Sequence, residues 1–391
     1  MIRRLALPVL LAVLAAPVQA VDRPEQESLG VLSAIVAGNL PAARAEAERL
    51  SRSHPDFRPA GTVAADLRAI ELGVDPVALE LPAAGEFGVE DWRHEARVRW
   101  LHHLGGGRAR GDAVPAALLR LPADTTTAIV AETSTSRLYL FANDGGVPRL
   151  VTDYYMGIGR AGYLKTAEGD LRTPLGVYRV TRWIDDDELP ELYGAGAFPV
   201  DYPNGWDRAL GRTGHGIWIH GVPRDEYSRP PLSSEGCMTV SNAQIEELRG
   251  WIEVGSTPVV AVERIRWLDE ARWQGLREEL TAEVERWRRA WETDAGGFRA
   301  RYATDFVNRQ HGDLASWLSS RRQFEPGERS VRVELRDLAL LRYGGEEEEL
   351  WQASFVQRFV SDDLDSEVRK EQLWRRGREG WEIVYEDIIG L

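Results

Sequence analysis

Residues 217–221 and 233–239 read Ile-Trp-Ile-His-Gly and Ser-Ser-Glu-Gly-Cys-Met-Thr, and these two stretches decide the fold of the middle of the chain. Cys237 is the single cysteine of the sequence, so it cannot form a disulfide within the chain. A buried, inert thiol is one interpretation of such a residue. The second interpretation is a reactive thiol on an exposed, tightly turned loop, and a Gly-Cys step next to serines favours it.

The first twenty residues have the composition of an export signal. A basic start, Arg3-Arg4, precedes an apolar run over residues 5–17, and residues 18–20 read Val-Gln-Ala, which fits a cleavage site. The apolar run is shorter than the ~20 residues that span a bilayer. We therefore expect a periplasmic mature chain with no membrane span. A hydrophobic first helix of a cytoplasmic protein is the alternative.

Length and charge limit the remaining possibilities. A chain of 391 residues has room for two or three domains, and its net charge of −14 weighs against binding to nucleic acid or to anionic membranes. The pattern predicts a multidomain α+β protein in four parts. They are a signal peptide (1–20), a helical pre-domain (21–118), a β-rich domain (127–262), which is the candidate catalytic domain, and a C-terminal α+β cone (275–391).

The predicted pre-domain has apolar residues at helical spacing, such as Ala43, Ala47 and Leu50. Its histidines, His94 and the pair His102-His103, are expected on the surface of an amphipathic helix. Residues 105–124 contain three consecutive glycines and two prolines, which predicts a linker.

The middle of the chain changes to short strands. Residues 128–142 alternate as a hairpin, and further strands are predicted over 150–156, 177–180, 217–219 and 259–262. Long loops rich in Pro and Gly separate them, which is typical of binding domains. One helix follows the cysteine, because Ser241 and Gln244 are spaced for reciprocal capping bonds.

The last part places helices before an antiparallel meander. Leu280, Val284, Trp287 and Trp291 keep helical spacing, and the same spacing predicts that Phe298, Tyr302 and Phe306 continue as helix. Strands are predicted over 331–343, 351–360, 368–375 and 381–389. This order resembles SnoaL-like (nuclear transport factor-type) domains, in which we expect the aromatic stripes to form the core. The acidic run 346–349 is expected to be a solvated loop and not a calcium site.

Cysteine acyltransferases need a thiolate, a base and amide donors for an oxyanion. His220 follows a short strand and precedes Gly221, so its ring is expected to face a loop. Gly236 leaves the backbone beside Cys237 free to aim amides at one oxygen. The capped helix adds a small positive field that favours thiolate.

Residues 127–262 resemble the YkuD-type L,D-transpeptidases. His220-Gly221 and Ser234-x-Gly236-Cys237 correspond to the family's His-Gly pair and its Ser/Thr-His-Gly-Cys signature. The segment upstream of this motif, which we call the lead-in, is also similar to that of the family. Its matching residues are Lys165, Gly169-Asp170, Arg172-Thr173-Pro174, Gly176 and Tyr178. An insert over 193–207 fits a subgroup that also carries a C-terminal cone.

The resemblance implies peptidoglycan chemistry without a cofactor. Cys237 would attack a diaminopimelate carbonyl of a stem tetrapeptide and expel D-alanine, and His220 would move the proton. The amides of Gly236 and Cys237 would form the oxyanion hole, with Gly221 and Ser234 shaping the loops. A second stem peptide, an outer-membrane lipoprotein or water would then resolve the thioester.

Two positions depart from the family pattern. Glu235 stands where a second histidine is usual, and Thr239 stands where Asn or Arg is common. Glu235 is open to three interpretations: it holds the ammonium of the acceptor, it is a solvated loop residue, or it disables the site and leaves a stem-peptide binder. A working site predicts a thiol pKa clearly below the usual ~8.5, and a disabled site predicts one at or above it.

Other charged residues near the expected site are further candidates. Arg212 and Arg224 flank the expected cleft and are candidates for holding stem carboxylates. His215 is a zinc-ligand type, but on one strand it would face away from His220, so we expect no metal. Two alternatives to the transferase remain: a hydrolase of the cell wall, and a non-catalytic scaffold that binds the wall.

Overall fold

The computed structural model describes residues 22–78, 86–105, 113–321, 331–344, 349–378 and 380–390. The predicted signal peptide and most of the acidic run 346–349 lie outside these residues. None of the helices described there has the length and apolar character needed to cross a membrane.

The N-terminal part is helical, as predicted. It contains α1 (Arg23–Val36), α2 (Leu40–Ser53), α3 (Arg58–Glu71) and α4 (Val89–Leu104). Side chains cap the first two helices: Asp22 accepts from the amide of Glu25, and Asn39 accepts from the amide of Ala42. The apolar spacing produces a small core of Val31, Ala43, Ala47 and Leu67.

The predicted surface position of the histidine pair on α4 is wrong for His102, whereas the side chain of His103 is 27% exposed. His102 is buried, and its Nε2 lies 3.0 Å from a carboxylate oxygen of Asp153 in the catalytic domain. The Nε2 of His103 lies 2.8 Å from Glu25. The face of α4 that carries these residues is polar in sequence, but it packs against charged partners and is therefore buried.

The candidate catalytic domain consists of two sheets, a strand pair and two short helices. The first sheet has the order β5-β4-β3-β13-β7, in which β13 is parallel to β3. Its strands are β3 (Thr127–Glu132), β4 (Arg137–Asp144), β5 (Val147–Tyr155), β7 (Gly176–Arg179) and β13 (Pro258–Val262).

The second sheet has the order β12-β10-β9-β8. It carries His220, and residues 235–237, which we call the cysteine loop, lead into its strand β12. It consists of β8 (Ile184–Asp185), β9 (Gly196–Pro199), β10 (Trp218–His220) and β12 (Met238–Thr239). The strand pair is β6 (Ile158–Gly159) with β11 (Leu232–Ser234), and the helices are α5 (Gly205–Ala209) and α6 (Asn242–Arg249). The capping box of Ser241 and Gln244 at the start of α6 is confirmed.

The predicted linker over 105–124 is wrong in its second half. Within it, β1 (Val114–Pro115) pairs with β14 (Trp267–Leu268), and β2 (Leu118–Arg120) pairs with a strand of the cone. Ala116 to Leu119 are at most 2% exposed. This segment is therefore a structural part of the C-terminal domain, although it precedes the catalytic domain in sequence.

The C-terminal part is an α+β cone, as predicted. Its helices are α7 (Glu270–Thr293), α8 (Ala295–Arg299) and α9 (Leu314–Arg321). Its strands are β15 (Tyr302–Asn308), β16 (Gly312–Asp313), β17 (Val331–Arg342), β18 (Leu350–Ser361), β19 (Asp365–Arg376) and β20 (Trp381–Gly390). The sheet order is β16-β15-β20-β19-β18-β17-β2. The tryptophans of α7 lie in the core, as expected.

The predicted helix through Phe298, Tyr302 and Phe306 is wrong beyond the first of these residues. Phe298 lies on α8, but Tyr302 and Phe306 lie on β15, with 6% and 2% exposure. A spacing of four residues puts two side chains on one face of a helix and also on one face of a strand. The spacing alone could not distinguish the two.

The cone and the catalytic domain share a core. One face of the cone sheet packs on the tryptophans of α7. Leu341 and Tyr343 at the end of β17 and Leu373 on β19 instead pack with Val130 and Val260 of the catalytic domain. The two domains are therefore joined through buried apolar surface and not through a flexible tether.

Candidate active site

His220 ends β10, between β9 on one side and β12 on the other. The residue is 4% exposed, and its Nδ1 donates to the carbonyl oxygen of Gly221 at 2.7 Å. That contact leaves Nε2 as the ring nitrogen with a free lone pair. Burial lowers the pKa of His220 to about 4, with a small opposing effect of the Gly221 carbonyl.

Gly221 is required by close packing next to the histidine. A Cβ at this position would collide with the side-chain oxygen of Asn242 and would lie 3.1 Å from the carbonyl oxygen of Tyr193. The amide of Gly221 donates to the carbonyl of Gly196 at 3.2 Å. The residue therefore holds the turn that orients the imidazole.

Cys237 lies between β11 and β12 and is half-buried. Its Sγ lies 3.3 Å from the carbonyl oxygen of Gly216. Strands β10 and β12 are parallel, and Ile219 lies beside Met238. If the same register is continued by one residue toward the N-terminus of each strand, Cys237 lies beside Trp218. Residues 218 and 220 share a face of the strand, so the thiol and the imidazole belong to the same face.

Tyr193 marks that shared face independently. Its ring centroid lies 4.8 Å from the ring of His220 and 4.8 Å from that of Trp218. Burial raises the pKa of Tyr193, and the charges of Cys237 and Glu235 raise it further. Sequence reasoning missed this tyrosine; the available signal was an aromatic residue that opens the Gly-rich insert.

The thiol is not activated in the structure. Burial raises the pKa of Cys237 to about 11, and the carboxylate of Glu235 adds to this rise. The amide of Trp218 and the charge of Lys165 lower it, but by less. A raised thiol pKa is the value predicted above for a disabled site and not for a working one. Near neutral pH the thiol and the imidazole are both uncharged.

The lead-in segment holds the cysteine loop in place through hydrogen bonds of Thr173. The hydroxyl of Thr173 donates to the carbonyl of Gly236 at 2.9 Å and accepts from the amide of Gly159 at 2.9 Å. Gly236 has a φ of +131°, and a Cβ there would lie 2.7 Å from the carbonyl oxygen of Arg172. Both residues are therefore needed for the tight turn before Cys237.

The expected oxyanion hole is altered by Ser234. The amide of Gly236 donates to the hydroxyl of Ser234 at 3.1 Å, and that hydroxyl donates to the carbonyl of Cys237 at 2.7 Å. The Gly236 amide is thus engaged inside the loop. The peptide between Gly236 and Cys237 is planar and trans, so its C=O and N–H point in opposite directions. The carbonyl of Gly236 faces the hydroxyl of Thr173, and the N–H of Cys237 therefore points away from that hydroxyl.

Glu235 and Thr239 have different environments. Glu235 is exposed beside the cysteine. Thr239 is 2% exposed, and its backbone exchanges two hydrogen bonds of 2.9 Å with Gly157. A Cβ on Gly157 would collide with the Thr239 hydroxyl, so this side chain fills a tight internal space. Substrate contact by either residue stays a prediction.

The two arginines are engaged in ion pairs. Arg212 lies 3.0 Å from the buried carboxylate of Asp207, and the exposed Arg224 pairs with Asp186. The pairing of Arg212 offsets a buried charge, which is a structural role. Binding of stem carboxylates by these arginines stays a prediction.

Lys165, which the sequence identified only as part of the lead-in, has a structural role near the site. Its ammonium is buried, and it lies 2.8 Å from Asp170 and 3.0 Å from the carbonyl of Ala167. Burial alone would raise the pKa of Asp170, but the hydrogen bond from Lys165 and three backbone amides lower it to about 2. This pair fixes the loop that carries Thr173.

His215 is exposed and lies 3.6 Å from Glu168. Among the residues described by the structure, no group of three or more His, Cys, Asp or Glu side chains is arranged to hold a metal ion.

Comparison with known protein families identifies two domains. Residues 126–260 match the model of the YkuD L,D-transpeptidase catalytic domain, and residues 279–387 match that of the Cds6 C-terminal NTF2-like domain. Both agree with the resemblances found in the sequence. None of the curated proteins matches the chain.

Three solved structures are similar over most of the chain. Bd1075 of Bdellovibrio bacteriovorus has 25% sequence identity and a TM-score of 0.62, covering 72% of this chain and 99% of Bd1075. The helical cell shape determining protein Pgp2 of Campylobacter jejuni has 23% identity and a TM-score of 0.59, covering 70% and 95%. A point variant of Pgp2 has 22% identity and a TM-score of 0.59, covering 75% of this chain and 98% of the variant.

Proposed function

We propose that this chain, which carries a YkuD-type L,D-transpeptidase catalytic domain ahead of a C-terminal NTF2-like domain, is a periplasmic cysteine acyltransferase acting on peptidoglycan stem peptides. The observation that supports it best is the register of β10 and β12. It sets the single thiol and a buried imidazole on one face of one sheet.

In the proposed reaction the Nε2 of His220 takes the proton of the Cys237 thiol as the sulfur attacks the stem carbonyl. The pKa values of about 11 and about 4 favour a neutral thiol and imidazole at rest, so this transfer accompanies the attack and does not precede it. The imidazolium then gives the proton to the leaving amine of D-alanine, and the acyl group stays on sulfur as a thioester.

The amide of Cys237 is the proposed oxyanion donor, since the Gly236 amide is bonded to Ser234. Tyr193 contacts the ring of His220, and its raised pKa keeps its hydroxyl protonated near neutral pH. We propose that the carboxylate of Glu235, which is exposed, attracts a cationic acceptor. A diaminopimelate amine or a lipoprotein lysine would give a crosslink or an anchor, and water would give hydrolysis.

The proposal is tested with the mature chain and its Cys237→Ala variant. Because the chain has one cysteine, a carbapenem-type acylating agent should add one mass increment to the parent and none to the variant. Stem tetrapeptides incubated with the parent should lose D-alanine, and mass spectrometry would identify the products. Crosslinked dimers identify a transferase, and free tripeptides alone identify a hydrolase.

An unlabelled parent protein that leaves the tetrapeptides unchanged would contradict the enzymatic proposal. A Cys237→Ala variant that restores a deletion strain as well as the parent would indicate the scaffold function instead.

A further inference from the structure

A polar cleft of about 380 Å³ separates the catalytic domain from the cone sheet. We call this space the interdomain cleft and define it by six of its lining residues: Asp124, Arg179, Asp337, Gln352, Ser354 and Arg369. None of them belongs to the cysteine loop or to β10, so the cleft is separate from the candidate active site.

Two arginines enter the cleft from different domains. Arg179 ends β7 of the catalytic domain, and Arg369 lies on β19 of the cone. Arg179 lies 3.9 Å from Glu371, at the limit of an ion pair. Among the described residues, Arg369 forms no ion pair. Two half-buried guanidinium groups facing one polar space favour a ligand with carboxylates.

The floor of the cleft contains a polar group without a partner. Gln352 is 3% exposed, and its Oε1 accepts no hydrogen bond among the described residues. A buried acceptor in this state costs free energy until a donor is supplied. Ser354, two residues along β18, is 7% exposed and lies on the same face. The ligand therefore needs N–H or O–H donors at this depth.

The rim of the cleft is acidic. Asp124 and Asp337 are both exposed. Asp337 has a φ of +55°, at the irregularity of β17 where the pairing shifts between Arg336 and Ala339. No aromatic ring is among the described residues that line the cleft, so stacking on the face of a sugar is not available. Carboxylates at the rim suit an ammonium group.

We propose that the interdomain cleft is a second binding site, which takes a zwitterionic peptide with free carboxylates and a free ammonium group. This is the chemistry of a diaminopimelate-containing stem peptide, and that identification rests on the proposed function. Such a ligand bridges the catalytic domain and the cone through Arg179 and Arg369, with its amides directed at Gln352. The enzyme would then hold one stem while it acts on another.

The test uses the mature chain after alkylation of Cys237 with iodoacetamide, which obstructs the active site whether or not the chain is an enzyme. Titration calorimetry with the tripeptide L-Ala-D-Glu-meso-diaminopimelate should show one binding site. The same tripeptide with lysine as its third residue lacks one carboxylate and should bind at least tenfold more weakly.

Three variants locate the binding. Arg369→Gln should weaken it at least tenfold. Asp337→Gly should weaken it severalfold without loss of folding, because glycine tolerates the positive φ. Arg272→Gln, on the exposed start of α7, is the matched control and should bind as the parent does.

Loss of all tripeptide binding on alkylation would overturn the proposal, because the active site would then be the binding site. Unchanged affinity in folded Arg369→Gln would overturn it as well. Failure of the proposed function would be a different result. The parent protein would then be neither labelled by the carbapenem nor active on tetrapeptides, and both of these measurements are made without the tripeptide.

Discussion

The carboxylate of Glu235 and the thiol of Cys237 are two residues apart, and the charge of the first disfavours ionisation of the second. Burial is the larger cause of the raised thiol pKa, and Glu235 adds to it. Replacement of Glu235 by glutamine removes the charge and keeps the size of the side chain. We expect Glu235→Gln to lower the thiol pKa from about 11 while leaving it above ~8.5, the value of a free cysteine.

The rate of iodoacetamide alkylation against pH measures this change, because only the thiolate reacts and the chain has one cysteine. Glu168→Gln, a change of another exposed carboxylate of the same domain, is the control. Identical midpoints for Glu235→Gln and the parent would show that the carboxylate points away from the sulfur.

His220 makes a separate prediction for pH dependence. As a base it must be neutral, and burial lowers its pKa to about 4. Acylation of Cys237 by the carbapenem should therefore persist below pH 6 and fall as pH drops through about 4, where the imidazole takes a proton. An inflection near the ordinary ~6.5 would contradict this environment of the ring. Circular dichroism at each pH checks that the protein is still folded.

At the residue scale, the sequence predicted the pair of reactive side chains but not their ionisation. The motif identifies Cys237 and His220 by type and spacing. Their pKa values depend on burial, which is set by strands β9 and β12 on either side of β10. Tyr193 was missed for the same reason, because it approaches His220 from a loop that is distant in sequence.

The element that holds the cysteine loop is the lead-in segment, and Thr173 is its central contact. Thr173→Val keeps the shape but leaves the carbonyl of Gly236 and the amide of Gly159 without their partner. We expect a loss of about 1–3 kcal/mol in the free energy of unfolding. We also expect at least a tenfold slower acylation, since the turn before Cys237 is no longer fixed.

Thr181→Val is the matched control, because its hydroxyl also donates to a carbonyl, that of Pro199, at 3.1 Å. Urea unfolding and carbapenem labelling of the two variants give the comparison. Equal labelling rates for Thr173→Val and Thr181→Val would show that the hydroxyl does not position the loop.

At the element scale, periodicity predicted long helices and long strands well and short buried strands poorly. The spacing of Trp287 and Trp291 identified α7, and alternation identified the hairpin of β3 and β4. The strand β2 was interpreted as linker, because its three residues carry no period of their own. Its conformation depends on pairing with β17, which lies more than two hundred residues later.

At the scale of the whole molecule, buried charges attach the helical domain to the catalytic domain. Arg99 on α4 pairs with Glu25 and lies 2.8 Å from Glu95, and Arg137 on β4 pairs with Glu25 and lies 3.3 Å from Asp153. Burial alone would raise the pKa of Glu25, but the two arginines hold it well below its ordinary value. Composition showed these charges, and only tertiary structure shows that they are buried together.

This network predicts which arginines of the chain matter for stability. Arg99→Met leaves Glu25 and Glu95 buried with less compensation, and removal of one partner from a buried ion pair typically costs about 3–5 kcal/mol. Because the arginines keep the Glu25 carboxylate ionised, the loss should be larger at pH 8 than at pH 5, where the freed carboxylates take up protons. Arg97→Met, on the exposed face of the same helix, is the control and should change stability by less than about 0.5 kcal/mol. Urea unfolding at both pH values measures the difference. Equal stabilities of the two variants would mean that the helical domain is held by its apolar contacts alone.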